Sequence, residues 1–301
     1  MHLCLTQKAT DISAGDGWAA AIMADETMVT WGIGTHGEMG RKVPTLDKTT
    51  SNQVILEEFL TPKPPVWNEV GSVHRRKVTG ISCGAYHLLV LAKETGAGMS
   101  VYSCGLNQYG QLGLGDNEGD NKDIKYVLKL TKINYFEVRN IAKVEAGQYF
   151  SCFVNSTGKE LYSCGRSDCG QLGISLKQPD AGSFESTPVR VPLVYNIDST
   201  KVSDPKGNCI VESDIVEEDQ PEIEQISCGS SHVLVLTKEG DVYSWGFGES
   251  GACGQGKSDA DVFRPKKLNP KGKNHVFKYV SGGGQHSAAV FVTQSKGSRA
   301  K

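Results

Sequence analysis

The sequence predicts an all-β protein, a β-propeller of about five repeat units. Three observations carry that expectation. Ile81-Ser82-Cys83-Gly84-Ala85-Tyr86-His87-Leu88-Leu89-Val90-Leu91 returns as Ile226-Ser227-Cys228-Gly229-Ser230-Ser231-His232-Val233-Leu234-Val235-Leu236, and weaker copies start at Ile12, Val144 and Val280. Four copies run on into Trp or Cys and a set of glycines spaced G-x4-G-x2-G: Trp31-Gly32 to Gly40, Cys104-Gly105 to Gly113, Cys164-Gly165 to Gly173 and Trp245-Gly246 to Gly254. Each copy also holds short apolar runs separated by glycine-bearing turns. A fixed unit recurring every several tens of residues is a modular array. One small sheet cannot bury both of its faces, whereas several packed radially can.

Within a unit, Leu88–Leu91 and Val233–Leu236 are four-residue apolar runs between a Gly and a Lys-Glu turn. Their length and flanking breakers predict a strand buried on both faces rather than a helix. Thr237-Lys238-Glu239-Gly240-Asp241 then leads into Val242-Tyr243-Ser244-Trp245, completing a hairpin, and residues 28–31, 101–104 and 161–164 repeat that second arm. The glycines after Trp or Cys call for positive φ or for close backbone approach. A third strand follows, often introduced by Pro: Pro64–Val66, Tyr126–Leu130, Thr187–Val191 and Arg264–Leu268, with residues 3–5 as a worn copy. The reading gives a propeller over residues 1–293, with units near 1–41, 42–116, 117–175, 176–256 and 257–293, and a short basic tail over 294–301.

Uneven repeat spacing marks insertions near 42–62 and 194–224. The second is acidic: Asp198, Asp204, Glu212, Asp214, Glu217, Glu218, Asp219, Glu222 and Glu224 stand against Lys201 and Lys206. It reads as a solvated loop or as a docking element for a basic partner. The 301 residues carry a net charge of −2, which gives no electrostatic footprint for nucleic acid. No apolar run approaches the roughly 20 residues of a membrane helix, and residues 1–10 do not read as a secretory signal. Nine cysteines without a CxxC pair, several of them fixed by repeat position, point to a reduced intracellular setting.

Chemical motifs are sparse. There is no nucleophile elbow, no G-x-x-x-x-G-K-[ST] and no H-E-x-x-H. The glycine clusters do not open a helix in a βαβ unit, so they are not phosphate loops. Cys164 and Cys169 alone do not make a zinc site. The sequence therefore leads to the expectation that the chain is not an enzyme and holds no cofactor or metal. His87, His232 and His286 share one repeat position that Trp18 and Phe150 fill elsewhere, so they read as structural, together with Gly84, Gly229, Trp31 and Trp245. Constant glycines with changing neighbours suit a rigid scaffold that carries recognition on its loops. His36, Tyr109, Arg166, Asp168, Phe247 and Glu249 are the candidate partner-binding side chains.

These motifs resemble the repeat of the regulator of chromosome condensation family. Its signature joins S-x-G-x-x-H and an apolar strand to [WC]-G-x-N-x-x-G-Q-L-G. Cys104-Gly105-Leu106-Asn107-Gln108-Tyr109-Gly110-Gln111-Leu112-Gly113 matches the second half throughout, and Cys164 to Gly173 departs from it only at Ser167. The resemblance covers nearly all of residues 12–292 outside the insertions. It implies a propeller, for which the family norm is seven blades, whereas this chain has five hairpin starts and four Trp/Cys-Gly endings. A small ring, an open or incomplete ring and a fragment are the alternatives. Functionally the resemblance implies either a non-catalytic protein–protein scaffold in a larger assembly such as a ciliary, cytoskeletal or ubiquitin-ligase complex, or a guanine-nucleotide exchange factor for a Ran-like GTPase, in a cytoplasmic, cytoskeletal or nuclear setting. The scaffold is the leading expectation, with a protein partner, no membrane and no nucleic acid. For exchange, the family's acidic loop residues carry over at one position, Asp16. Nucleosome binding through histones is a third reading.

Overall fold

The computed structural model describes residues 7–42, 59–68, 76–96, 98–115, 125–195, 220–256, 260–269 and 275–293. Residues 43–58 and 196–219, most of both predicted insertions, and the tail at 294–301 lie outside the described residues, as do residues 3–5. The described chain is a succession of small antiparallel sheets, the architecture of a β-propeller. It forms two compact units, residues 1–156, 162–166 and 182–189 in the first and the remainder in the second.

The first unit contains three blades. β1 (Ala9–Ala14), β2 (Trp18–Met23) and β3 (Met28–Gly32) form the first. β4 (Lys77–Cys83), β5 (His87–Lys93), β6 (Met99–Leu106) and β7 (Tyr126–Lys132) form the second. The third is β8 (Ile141–Ala146), β9 (Phe150–Asn155), β10 (Leu161–Arg166) and β11 (Phe184–Val191), of which Leu161 and residues 190–191 count with the second unit. The second unit contains a blade of β12 (Ile223–Cys228), β13 (His232–Thr237), β14 (Val242–Gly246) and β15 (Val262–Lys267), and a two-stranded sheet of β16 (His275–Gly282) and β17 (Ser287–Thr293).

The apolar runs behave as their composition requires. β9 and β13 are buried throughout, and β5 is buried up to Lys93. Leu88 and Val90 join one apolar cluster and Leu89 and Leu91 another, because alternate side chains face opposite sides of the sheet. The segment that opens each repeat is itself a strand, which the hairpin reading did not single out. It pairs with the apolar run, and a bulge falls at one register in all five copies: at Ala9/Asp11, Val78/Gly80, Ile141/Lys143, Ile223/Gln225 and Phe277/Tyr279. Such a bulge bends and twists the inner strand. Pro188 and Pro265 sit in β11 and β15, outermost in their sheets, where a missing N–H breaks no ladder bond. The first outer strand shrinks to one bridge, Thr30 with Lys63, since Pro64 and Pro65 have no N–H to continue it.

Consecutive blades are stitched by side chains at fixed repeat positions. Ser13 Oγ accepts the Cys83 N–H (2.9 Å), Ser82 Oγ the Ala146 N–H (3.0 Å) and Ser227 Oγ the Gly282 N–H (3.0 Å). Glu145 takes the serine's place in the third repeat, and its carboxylate meets the Ser82 hydroxyl. Burial raises its pKa to about 7, and the nearby Asp11 adds to the shift. His87 is fully buried, and burial lowers its pKa to about 3.

Two predictions follow from this packing. Gly105 has φ +110°, and a methyl group there would lie 2.4 Å from the Tyr86 carbonyl oxygen and 2.7 Å from His87 Cα. Gly105→Ala is expected to cost about 3 kcal/mol or more by urea denaturation. Gly96→Ala, at φ +84° with open space around it, is expected to cost only about 1 kcal/mol; equal losses would refute the close-approach account. The second concerns pH. Glu145 binds its proton more tightly folded than unfolded, so its contribution to stability is present below about pH 4.5 and is lost as pH rises to about 7. His87 acts oppositely: its contribution is present above about pH 6.5 and is lost as pH falls towards about 3. Glu145→Gln removes the first dependence. It should gain stability on the parent between pH 4.5 and 7, by up to about 1.4 kcal/mol per pH unit. A pH-independent difference between the two proteins would exclude Glu145 as the source.

Candidate functional site

The glycine clusters build one loop four times. Gly40, Gly113, Gly173 and Gly254 each donate their N–H to the carbonyl of the glycine three residues before, at 2.9 Å in every copy. A long side chain inside the loop closes it from beneath. Gln111 Oε1 accepts the Tyr109 N–H, Gln171 Oε1 the Cys169 N–H, and the Glu38 carboxylate the N–H groups of Thr35 and His36. Burial raises the Glu38 pKa, against those N–H donors. From the preceding strand, Thr30, Ser103 and Ser244 donate their hydroxyls to the carbonyls of Met39, Leu112 and Cys253. The position shared by Trp and Cys also carries a donor. Trp245 Nε1 reaches the Gln171 carbonyl at 3.0 Å, and the thiols of Cys104 and Cys164 lie 3.7 and 3.6 Å from the carbonyls of Glu38 and Gln111. Trp31 is half-buried.

The repeated histidines brace these loops. His87 Nε2 meets Ser151 Oγ at 2.9 Å, and that hydroxyl donates to the Gln111 carbonyl at 2.7 Å. His232, Ser287 and the Ala252 carbonyl repeat the arrangement at 2.9 and 2.7 Å. Trp18 Nε1 donates to the Ala85 carbonyl instead. His286 is exposed in the turn between β16 and β17. A methyl group on Gly84 would strike the His87 ring and the Gly147 carbonyl, and one on Gly229 the His232 ring and the Gly283 carbonyl.

On this frame the first unit assembles an aromatic strip from the loops of three blades. The rings of Tyr86 and Tyr149 stack with centroids 5.6 Å apart and planes at 26°. Tyr109 meets Tyr149 edge-on at 5.4 Å, and His36 meets Tyr86 edge-on at 5.9 Å. The Arg166 guanidinium lies 5.3 Å over the Tyr109 ring. At the other end the Tyr86 hydroxyl is 3.4 Å from the exposed Asp16 carboxylate. The strip is thus aromatic in its middle, anionic at Asp16 and cationic at Arg166. Burial raises the Tyr149 pKa, and the neighbouring Tyr86 and Tyr109 add to the shift while Arg166 opposes it, so the Tyr149 phenol stays protonated.

The structure therefore brings His36, Tyr109, Arg166 and Asp16 together. The link between them is Tyr86 and Tyr149, which the sequence reading passed over because it searched those loops for acids. Two tyrosines at the residue before the repeated histidine position, in consecutive repeats, were the available signal. Asp168, Phe247 and Glu249 lie in the second unit. Asp168 and Phe247 are half-buried there, and exposed Glu249 begins a 3₁₀ turn to Gly251. Among the described residues no three His, Cys, Asp or Glu side chains cluster as a metal ion would need. Half-buried tyrosines are side chains suited to contact with another protein surface.

Comparison with known proteins fits this architecture. The family model of the RCC1-like domain matches residues 2–289. The human Regulator of chromosome condensation is 27% identical over 284 residues, 93% of this chain and 56% of the relative. Guanine nucleotide exchange factor SRM1 of Saccharomyces cerevisiae is 28% identical over 280 residues, 90% of this chain and 48% of the relative. The chain spans about half the length of these curated relatives. The crystal structure of Prp20p from Saccharomyces cerevisiae superposes with a TM-score of 0.71 at 24% identity, covering 98% of this chain and 58% of that one, which supports the fold.

These relatives correct the expectation that the chain is not an enzyme, since SRM1 is named an exchange factor. Nucleotide exchange is accelerated by differential binding. It needs no nucleophile or proton relay, so it leaves none of the motifs sought in the sequence. The relatives give no support to the ciliary and cytoskeletal expectations. With its repeats, its loops and a family model spanning residues 2–289 in agreement, the chain belongs to the RCC1-like domain family.

Proposed function

We propose that this chain acts as a guanine-nucleotide exchange factor on a Ran-like small GTPase and docks it on the strip of Asp16, His36, Tyr86, Tyr149, Tyr109 and Arg166. The observation that carries the reading is the alignment of 90% of the chain with a relative named as such a factor. Exchange requires that the factor engage the loaded GTPase in a ternary complex and bind the nucleotide-free GTPase more tightly than the loaded one. By linkage, the factor then weakens nucleotide binding by the same ratio by which nucleotide weakens the factor. A rigid surface suits this task, because little of its binding free energy is lost in ordering its own loops. The doubly braced glycine loops supply that rigidity. Tyr86 and Tyr149 provide area that is buried on contact, while Asp16 and Arg166 set orientation through charge. An exchange factor shares a compartment with its GTPase. The relative named for chromosome condensation favours a nuclear setting.

Release of a fluorescent guanine nucleotide from Ran, measured in excess unlabelled nucleotide, tests the proposal. Acceleration by the parent chain is expected. Tyr149→Ala should lower the acceleration by at least about 10-fold, as truncation of a central aromatic anchor does. Asp16→Asn should lower it by a similar factor, whereas Glu249→Gln, outside the strip, should leave it unchanged. No acceleration by the folded parent chain would overturn the exchange reading. Acceleration insensitive to Tyr149 and Asp16 would move the docking face elsewhere.

A further inference from the structure

The second unit holds a cavity that the exchange reading does not use. It has a volume of about 450 Å³ and lies beside β15, the outermost strand of its sheet. Leu176, Val262 and Phe263 give it apolar walls, and Tyr195 contributes a half-buried ring. Its charged lining is Arg264, Lys266 and Asp261. Arg264 and Lys266 both line the cavity, while Pro265 between them is buried. The Arg264 guanidinium is held 5.1 Å over the Tyr195 ring. Such stacking orients the guanidinium plane and leaves its N–H edges free for an anion.

The lining carries two cations, Arg264 and Lys266, against one carboxylate, Asp261. Asp261 Oδ1 is engaged at 2.8 Å by the Gly248 N–H. Gln255 Nε2 donates to Ser244 Oγ at 2.7 Å and to the Lys266 carbonyl at 2.9 Å, turning the amide into the blade. Lys238 pairs with Glu222 and Lys267 with Asp241, and neither pair involves Arg264 or Lys266. The result is a concavity of ligand size with apolar walls, lined by two cations against one carboxylate.

We propose that this cavity is a binding site for an anionic group carried on an aromatic body, supplied by an acidic–aromatic peptide segment of a protein partner. Phe263, Leu176 and Val262 take the ring, and Arg264 and Lys266 take the carboxylates. Pro265 removes one edge N–H from β15, which favours side-chain capture in the cavity over strand addition along the edge.

The probe is 8-anilinonaphthalene-1-sulfonate, an aromatic anion whose fluorescence rises in an apolar site, titrated into the full chain. Saturable binding at one site is expected, displaced by Ac-Glu-Phe-Glu-NH2 and not by Ac-Lys-Phe-Lys-NH2. Arg264→Gln and Lys266→Gln should each weaken both ligands by about 10-fold or more, as loss of a charge-assisted contact does. Near-ultraviolet circular dichroism identical to the parent shows that each variant is folded, and two variants guard against one misfolding. Undiminished probe binding in both folded variants would overturn the proposal, as would equal displacement by the two peptides. Because the readout involves no GTPase, the site stands or falls separately from the exchange activity.

Discussion

The structure depends on how closely successive blades approach at one glycine of each repeat. Gly84 lies against the carbonyl of Gly147, and Gly229 against that of Gly283, at distances that leave no room for a side chain. That contact brings the repeated serine of one blade within reach of the next blade's backbone N–H. It also sets the buried histidine over the glycine, with its second nitrogen aimed at a neighbouring serine. Each bond is worth about 1 kcal/mol net. Together they replace the long hydrogen-bonded ladders that blades of three or four strands cannot supply.

The same seam determines what the loops can do. A glycine loop held by its own Gln or Glu, by a strand hydroxyl and by the following Trp or Cys has little freedom. The residues between the glycines and those preceding the histidine position change from repeat to repeat around this frame. In the first unit these residues are aromatic and meet across three blades. In the second unit Ser230 and Ser231 occupy the corresponding turn, and the apolar opening lies instead beside the outer strand. One scaffold thus presents two surfaces of different chemistry.

The exchange activity proposed above is one that leaves no catalytic motif in a sequence. Hydrolases and phosphotransferases mark a sequence with nucleophiles, bases or phosphate loops, because a bond must be made or broken. A factor that only biases a partner between loaded and empty states needs shape, rigidity and complementary charge. None of these has a local signature. Among the described residues the strongly shifted His87 and Glu145 lie in the seams between blades and not in the strip.

Much of the fold was legible in the residues. The apolar runs, the hairpin turns and the glycine spacing are local properties, set by side-chain periodicity and by the steric demands of positive φ, so they could be read without coordinates. Of the three repeated histidines, His87 and His232 are buried against a serine, whereas His286 is exposed. The inner strand was less legible, since Ile-Ser-Cys is too short to show a period and acquires its bulge only by pairing. The aromatic strip was least legible: Asp16, His36, Tyr86, Tyr109, Tyr149 and Arg166 are scattered over three repeats. Sequence alone determined what each repeat builds and which positions are free to vary. Only the tertiary structure decided which variable positions meet, because that depends on the radial packing of blades, a contact between residues far apart in the chain.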